Sequence, residues 1–223
     1  MNYNFKFGAL WRYQDEIVQG LLLTLQLSAV TMVCGLVIGL GVALAAGSPR
    51  RMLSAPARVY VETIRNTPLL VQLFIVYFGL PSIGIKLDAL TAALIALSVN
   101  MGAYSAEILR AGFESVRRSQ VEAARSLGLT AGQAFRHVVL FQAMKAIYPA
   151  LASQFVLMML ATSVVSSIGV AELFHQASFI DSRTYRSFEA YALITLSYLA
   201  LTLVFRSLFS GVYWAVFVRR PRR

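Results

Sequence analysis

The chain has 223 residues, of which 58% are hydrophobic and 13% are charged, and its formal net charge is +10. Soluble domains carry about 25% charged residues, so the composition excludes a soluble domain and predicts an all-α polytopic membrane protein. The positive charge does not indicate a nucleic-acid-binding protein, because the basic residues lie in blocks between apolar runs and no basic face alternates with aromatic residues. Residues 1–223 are therefore predicted to form a single transmembrane domain.

The apolar runs predict five transmembrane helices. A helix needs about 20 apolar residues to cross a bilayer, and the segments that meet this length are residues 18–46, 59–80, 87–109, 146–171 and 190–218. Before the first of them, residues 1–16 mix aromatic with basic side chains, which is typical of a segment at the level of the lipid headgroups. The lipid bilayer is thus the predicted surrounding of nearly the whole chain.

The basic residues between these helices predict the orientation. One side would hold Arg50, Arg51, Arg58, Arg117, Arg118, Arg125, Arg136, Arg219, Arg220, Arg222 and Arg223. The other side would hold Lys6, Arg12, Lys86, Arg183 and Arg186. Because cytoplasmic loops are enriched in Lys and Arg, the N-terminus is predicted to lie outside and the C-terminus in the cytoplasm. Residues 1–16 are then a periplasmic interfacial segment, and the loop 117–136 faces the cytoplasm.

The loop 117–136 carries the signals of an ordered structure. Ser119 with Glu122, and Thr130 with Gln133, have the spacing of capping boxes at helix starts. Gly128 stands where a left-handed helix stop is expected. The pattern predicts a short helix, a glycine break and a second helix that continues into apolar sequence. Such a loop either docks a partner or serves as a connector, and its spacing alone leaves both open.

Charged residues inside membrane spans are costly and often functional. Glu62 and Arg65 are three residues apart and can pair near the inner end of the second span. Pro68, just beyond them, predicts a kink. Glu107 lies near the inner end of the third span. We therefore regard Glu62, Arg65 and Glu107 as a candidate gate or, equally, a structural clamp.

Polar uncharged residues suggest a path for a solute. Asn100 lies near the middle of the third span, where it either joins helices or contacts a substrate. In the fourth span, Thr162, Ser163, Ser166 and Ser167 would share one face of an α-helix. These hydroxyls would line a polar path or a helix break, or they would simply bond to their own backbone carbonyls.

No enzyme motif occurs in the chain. GxSxG, HExxH and the GxxxxGK[ST] phosphate loop are all absent from the sequence, so no catalytic residue is proposed and the chain has no Walker-type site for hydrolysing a nucleotide. His137 and His175 have no Cys or His partner at ligand spacing, so no metal site and no cofactor is predicted in this chain.

Several blocks of the sequence resemble permeases of ABC importers, and together they cover nearly the whole chain. EAARSLG, residues 122–128, resembles the EAA loop of that family. The blocks YVETIRNTPLLVQLFIVYFGLP (60–81), AYSAEILRAGFESV (103–116) and SVVSSIGVAEL (163–173) are similar to those of permeases for polar amino acids. One position departs from the pattern, because Phe141 stands where the EAA loop ends in proline.

The resemblance implies which residues contact an ATPase and which other proteins assemble with this chain. The ATPase-coupling positions would be Glu122, Ala123, Ala124 and Gly128. The partners would be an ATP-binding cassette ATPase that binds ATP and Mg²⁺, a second permease subunit (identical or a sister), and a periplasmic amino-acid-binding protein. The location would be the bacterial inner membrane. The alternative interpretation is that the chain is a non-transporting scaffold or sensor subunit, which uses the same loop to bind a soluble partner.

The substrate is predicted only loosely. The family often carries Lys-Asp or Lys-Asn before the hydroxyl cluster, whereas this chain has Leu160 and Ala161. Loss of an acidic residue there argues against a cationic substrate. Arg183 and Arg186 lie in a segment that resembles glutamate and aspartate permeases, so an acidic amino acid is favoured.

Overall fold

The computed structural model describes residues 5–219, and every regular element within them is helical. A 3₁₀ helix (Phe7–Tyr13) precedes the α-helices. The α-helices are α1 (Gln14–Ala46), α2 (Arg51–Arg65), α3 (Leu69–Phe74), α4 (Ala89–Glu114), α5 (Arg118–Ser126), α6 (Ala131–Ala134), α7 (Leu140–Ala161), α8 (Leu173–Thr184) and α9 (Ser187–Tyr213). Residues 1–4 of the predicted interfacial segment, and the basic residues Arg220, Arg222 and Arg223, lie outside the described residues.

Four helical segments are long and apolar enough to cross a membrane: Leu10–Ala46, Ala89–Glu114, Ala131–Ile168 and Ser187–Val218. The third and fourth of these include π-helical or 3₁₀ turns, Phe135–Val139, Thr162–Ile168 and Trp214–Val218. The all-α membrane class and four of the five predicted spans are therefore confirmed. The fifth depends on whether a bent helix pair counts as one span.

The second predicted span, residues 59–80, is not a single helix. α2 ends at Arg65, and the next helical run (Leu69–Ile83) leaves it at an angle of 108°. Pro68 has extended backbone with ψ of 136° and supplies no N–H. The hydroxyl of Thr67 and the amide of Asn66 donate back to carbonyls of the last α2 turn. The expected kink at Pro68 is thus a full break.

α4 lies at the centre of the bundle and packs closely against α1. An added Cβ at Gly39 would lie 2.5 Å from Cβ of Ser105 and 3.0 Å from the carbonyl oxygen of Gly102. At Gly102 it would meet Ile38 at 2.6 Å. Small residues on both helices therefore let the two backbones approach. Gly35 and Gly39 of the first span thus lie at a contact between two helices of the same chain.

Gly39→Leu is expected to destabilise the bundle by about 1–3 kcal/mol, because the added side chain has no space between α1 and α4. The measurement is the thermal unfolding midpoint of the detergent-solubilised protein. Gly41→Leu is the matched control, since a Cβ at Gly41 meets nothing within 4 Å. Equal midpoints for the two variants would contradict the packing described here.

The polar stretch before the last span contains a helix that the sequence did not indicate. α8 begins after Glu172, whose carboxylate accepts hydrogen bonds from the N–H groups of Phe174 and His175 at 2.9 and 2.8 Å. The 3₁₀ helix at the start of the chain packs on this region, since Leu10 is buried with Ile180 and Ala190. Residues far apart in sequence thereby form one end of the bundle.

Candidate functional site: the loop 117–136 and the polar groups of the bundle

The first helix of the loop differs from its predicted start. α5 begins at Arg118, after Arg117, which has extended backbone and no side-chain cap. Ser119 is therefore already inside the helix, and the predicted capping box with Glu122 is wrong. Glu122 lies in the second turn with its side chain exposed, so its carboxylate is available to a partner rather than bonded to the helix start.

The glycine break has the predicted geometry. Gly128 has φ of +86°, and its N–H donates to the carbonyl of Arg125 at 3.0 Å. The N–H of Leu129 donates to the carbonyl of Ala124 at 3.2 Å. These two bonds form a Schellman motif, which satisfies carbonyls that the helix end leaves free. A Cβ at Gly128 would meet no atom within 4 Å, so glycine is required by backbone conformation and not by space.

The two adjacent alanines of α5, Ala123 and Ala124, differ in their exposure to solvent. Ala124 is buried, whereas Ala123 is exposed, so these two predicted ATPase-coupling positions do not form one exposed surface. Leu127, which sequence reasoning overlooked, is 82% exposed at the end of α5. The signal for it was an apolar side chain directly before the glycine at which the helix ends. Glu122, Ala123 and Leu127 therefore form the outer surface of α5.

The second half of the loop is rigidly joined to the membrane helix. Thr130 and Gln133 make the predicted capping box at the start of α6, with both reciprocal bonds present. From Ala131 the helix continues to Ile168 and passes through Phe141, where the family proline is missing. The ring of Phe135 stacks on that of Phe113 at 6.0 Å between centroids, which fastens this helix to the end of α4.

The four hydroxyl residues do not share an α-helical face. They lie in the 3₁₀ turn that follows α7, which ends in Gly169 with φ of +85°. Each hydroxyl donates to a carbonyl three residues earlier, at 2.6–2.8 Å, and the residues concerned are Thr162, Ser163, Ser166 and Ser167. Thr162 is fully buried and Ser167 is exposed. The helix break is present, and the hydroxyls bond to their own backbone.

Asn100 joins α4 to the broken helix. Its amide donates to Oε1 of Gln72 at 2.9 Å, and both residues are buried. The amide of Gln72 in turn donates to the carbonyls of Ile64 and Thr67 at 2.8 and 3.1 Å. The amide of Gln72 thus satisfies carbonyls that lost their helical partners at the break after α2. The hydrogen bond from Asn100 holds Gln72 in place.

Asn100→Leu is expected to weaken the attachment of α3 to α4, because the buried Oε1 of Gln72 then has no donor. Leaving such a group unsatisfied costs about 1–3 kcal/mol. The check is the unfolding midpoint of three variants, namely Asn100→Leu, Gln72→Leu and the double change. The midpoint of the double variant should fall by less than the sum of the falls in the two single variants. Additive losses would show that the two amides are not coupled.

The charged residues form a chain at the same end as α5. Arg65 contacts Glu107 at 3.6 Å, rather than Glu62 as predicted. Arg110 bridges Glu107 and Glu114, with both distances at 2.6 Å. With Glu62 they line a cavity of about 540 Å³ between α1, α2 and α4. The Glu62–Arg65 pair is wrong because the ends of α2 and α4 bring Arg65 to Glu107 instead.

The buried carboxylate of Glu172 was not singled out from the sequence. It is fully buried and accepts a 2.6 Å bond from the hydroxyl of Tyr198. Thr24, whose hydroxyl accepts from the N–H of Leu173 at 3.1 Å, lies beside it. Burial raises the pKa of Glu172 above its usual range. This cluster fixes the start of α8 against α1 and α9.

The fold and this arrangement define a polytopic helical membrane protein with an ordered helix on one end of its bundle. The chain belongs to the family described as binding-protein-dependent transport system inner membrane components, whose sequence model matches residues 17–215. The resemblance to permeases of polar amino acid importers is thereby confirmed.

Named relatives support the same family. The chain is 37% identical over 203 residues to the probable glutamine ABC transporter permease GlnM of Bacillus subtilis, covering 91% of this chain and 92% of that one. It is 34% identical to the glutamine transport permease GlnP of Escherichia coli, with 90% and 92% covered. It is also 34% identical to the octopine transport permease OccM of Rhizobium radiobacter, with 95% and 90% covered.

Solved structures agree on the fold. A crystal structure of an amino acid ABC transporter with histidines matches with a TM-score of 0.91 and 41% identity, covering 96% of this chain and all of that one. An inward-facing structure of the methionine transporter MetNI matches with a TM-score of 0.75 at 20% identity. The second match concerns the fold alone.

Proposed function

We propose that this chain is the membrane-spanning permease subunit of an ATP-driven importer for a polar amino acid. The observation that carries the proposal is the match over 96% of this chain to an amino acid ABC transporter at 41% identity. Relatives that are similar over about nine-tenths of the chain are named as glutamine and octopine permeases. The chain itself would hydrolyse nothing.

The partners follow from the family. An ATP-binding cassette ATPase would bind ATP and Mg²⁺ in the cytoplasm, a second permease subunit would complete the path, and a periplasmic binding protein would deliver the substrate. The proposed location is the bacterial inner membrane, with the N-terminus outside. The basic residues Arg118 and Arg125 within α5, and Arg117 just before it, support a cytoplasmic position for this helix.

In the proposed mechanism, the ATPase moves the permease through α5. Its exposed surface of Glu122, Ala123 and Leu127 would lie in a cleft of the ATPase. The Schellman turn at Gly128 and the capping box at Thr130 leave little freedom between α5 and the 38-residue helix Ala131–Ile168. A movement of α5 would therefore tilt that helix, which ends at the break near Gly169, and open the bundle alternately to each side.

The polar groups have proposed roles in this movement. Glu62, Arg65 and Glu107 would act as a gate or clamp at the cytoplasmic mouth, because the ion pair between Arg65 and Glu107 joins α2 to α4 and Glu62 lines the same cavity. The path would pass the break that carries Thr162, Ser163, Ser166 and Ser167, where Ser167 is exposed. Asn100 would contribute by holding the broken helix that lines the path.

The substrate stays a prediction. Leu160 and Ala161 supply no carboxylate for a cationic side chain, and Arg183 and Arg186 favour an anionic one. Relatives are named for glutamine, arginine and octopine, so the acidic amino acids are one choice within a polar class.

The test is uptake by proteoliposomes that contain the permease, its ATPase and its binding protein, with labelled glutamate, aspartate, glutamine and arginine offered separately. We expect ATP-dependent uptake of one polar amino acid, with ATP hydrolysis raised by the liganded binding protein. An ATPase that binds the permease but is not stimulated, with no uptake, would favour a scaffold or sensor subunit instead.

A further inference from the structure

A strongly cationic pocket lies at the end of the bundle opposite α5. Its volume is about 500 Å³, and four basic side chains line it: Lys6, Arg12, Arg183 and Arg186. Arg186 contacts the buried carboxylate of Glu189 at 3.5 Å. Within residues 5–219, the side chains of Lys6, Arg12 and Arg183 have no carboxylate within ion-pair distance. The pocket therefore calls for an anion.

An apolar groove shares the 3₁₀ helix Phe7–Tyr13 with this pocket as a wall. It has a volume of about 270 Å³ and is lined by Phe7, Leu10, Trp11, Ile17, Val18 and Leu193. Trp11 and Val18 are 74% and 54% exposed, so the groove opens on the outer surface of α1 and α9. A surface of this kind on a membrane helix faces lipid chains, and Trp is enriched where chains meet headgroups.

The 3₁₀ helix Phe7–Tyr13 is a wall of both spaces. Leu10 and Trp11 face the groove, while the next two residues, Arg12 and Tyr13, face the cationic pocket. A molecule with an anionic head and an apolar tail could place its head among the four cations and its tail in the groove. No separate soluble ligand would use both spaces.

Two parts of the backbone around the pocket are held in place within the chain. The backbone N–H of Lys6 donates to Oε1 of Glu189 at 3.0 Å, which ties the start of the chain to α9. Tyr185, between Arg183 and Arg186, is held at φ of +54°, an unusual conformation for a residue with a Cβ. The backbone beside Lys6, Arg183 and Arg186 is therefore positioned by contacts and conformation of the chain itself.

We propose that the pocket and groove together form a binding site for one anionic glycerophospholipid. Its phosphate lies among Lys6, Arg12, Arg183 and Arg186, and an acyl chain lies along the groove beside Trp11. Four cations against one carboxylate leave an excess of positive charge, so a lipid with net negative charge binds better than a zwitterionic one. An acidic protein surface would satisfy the cations but not the apolar groove.

Trp11 offers a direct reporter of the site. The chain has two tryptophans, so Trp214→Phe leaves Trp11 as the only one. The full-length protein in detergent micelles is titrated with phosphatidylglycerol or phosphatidylcholine that carries bromine on an acyl chain, and quenching of Trp11 fluorescence is measured. We expect quenching at a clearly lower mole fraction of phosphatidylglycerol.

Two substitutions with a matched control test the role of charge. Arg12→Gln with Arg183→Gln should weaken phosphatidylglycerol binding by about fivefold per residue, while phosphatidylcholine quenching stays the same. Lys86→Gln removes an exposed cation that lies outside the pocket and should change nothing. In the unsubstituted pocket, raising salt from about 0.1 M to about 1 M should remove the preference for the anionic lipid, because salt screens the charges.

Equal quenching by the two lipids, or a preference that persists at high salt, would overturn the proposal. So would a double variant that keeps its preference for phosphatidylglycerol but loses stimulation by the binding protein, because the cations would then serve protein docking. None of these outcomes depends on which solute the permease carries.

Discussion

Gly128→Val is expected to reduce uptake by more than tenfold while the protein still inserts and folds. Gly128 has φ of +86°, which costs a residue with a Cβ about 1–2 kcal/mol and a β-branched residue more. Valine would therefore open the Schellman turn and change the angle between α5 and the helix that starts at Ala131. The measurement is uptake in proteoliposomes at matched protein content.

Gly128→Asn is the matched control, because asparagine adopts left-handed conformations more readily than other residues with a Cβ. It should keep most of the uptake, although it adds a side chain at the same place. There is room for either side chain, since nothing lies within 4 Å of a Cβ at Gly128. Equal losses in the two variants would mean that bulk or contact, and not backbone conformation, matters at this position.

Leu127→Asp is expected to separate the permease from its ATPase. Leu127 is 82% exposed, so the substitution leaves the fold intact, but burying its aspartate in a partner cleft would cost several kcal/mol. Co-purification of the ATPase with the affinity-tagged permease should fall by more than about tenfold. The thermal unfolding midpoint of the permease alone should stay unchanged.

Ile83→Asp is the control for Leu127→Asp, since Ile83 is 71% exposed and lies on the bent helix Leu69–Ile83, away from α5. It should leave ATPase binding unaffected. If Leu127→Asp binds the ATPase as well as the unsubstituted protein does, the exposed surface of α5 is not the docking surface.

The long apolar helices were predictable because hydropathy over about 20 residues is a strong signal. Gly128 and the capping box at Thr130 were predictable because each depends on residues a few positions apart. The break after α2 was only partly predictable. Pro68 indicated a kink, but the 108° angle also depends on Gln72 and Asn100, which meet across 28 residues of sequence.

Three further errors have separate physical origins. The ion pair of Arg65 depends on the crossing of α2 and α4, which spacing along one helix cannot reveal. The hydroxyls from Thr162 to Ser167 were placed on an α-helical face, but the chain tightens there to a 3₁₀ turn before Gly169. α8 was not predicted because its N-cap is Glu172, and glutamate is an uncommon residue type at that position.

Docking of an ATPase on α5 is the central claim, and photocrosslinking tests it most directly. The photoreactive residue p-benzoylphenylalanine is introduced at Ala123, which is exposed on α5, or at Lys86 as a control, and the permease is irradiated together with its ATPase. We predict a product with the combined mass of permease and ATPase from position 123 and none from position 86. Absence of that product from position 123, while the ATPase still co-purifies with the permease, would contradict the claim.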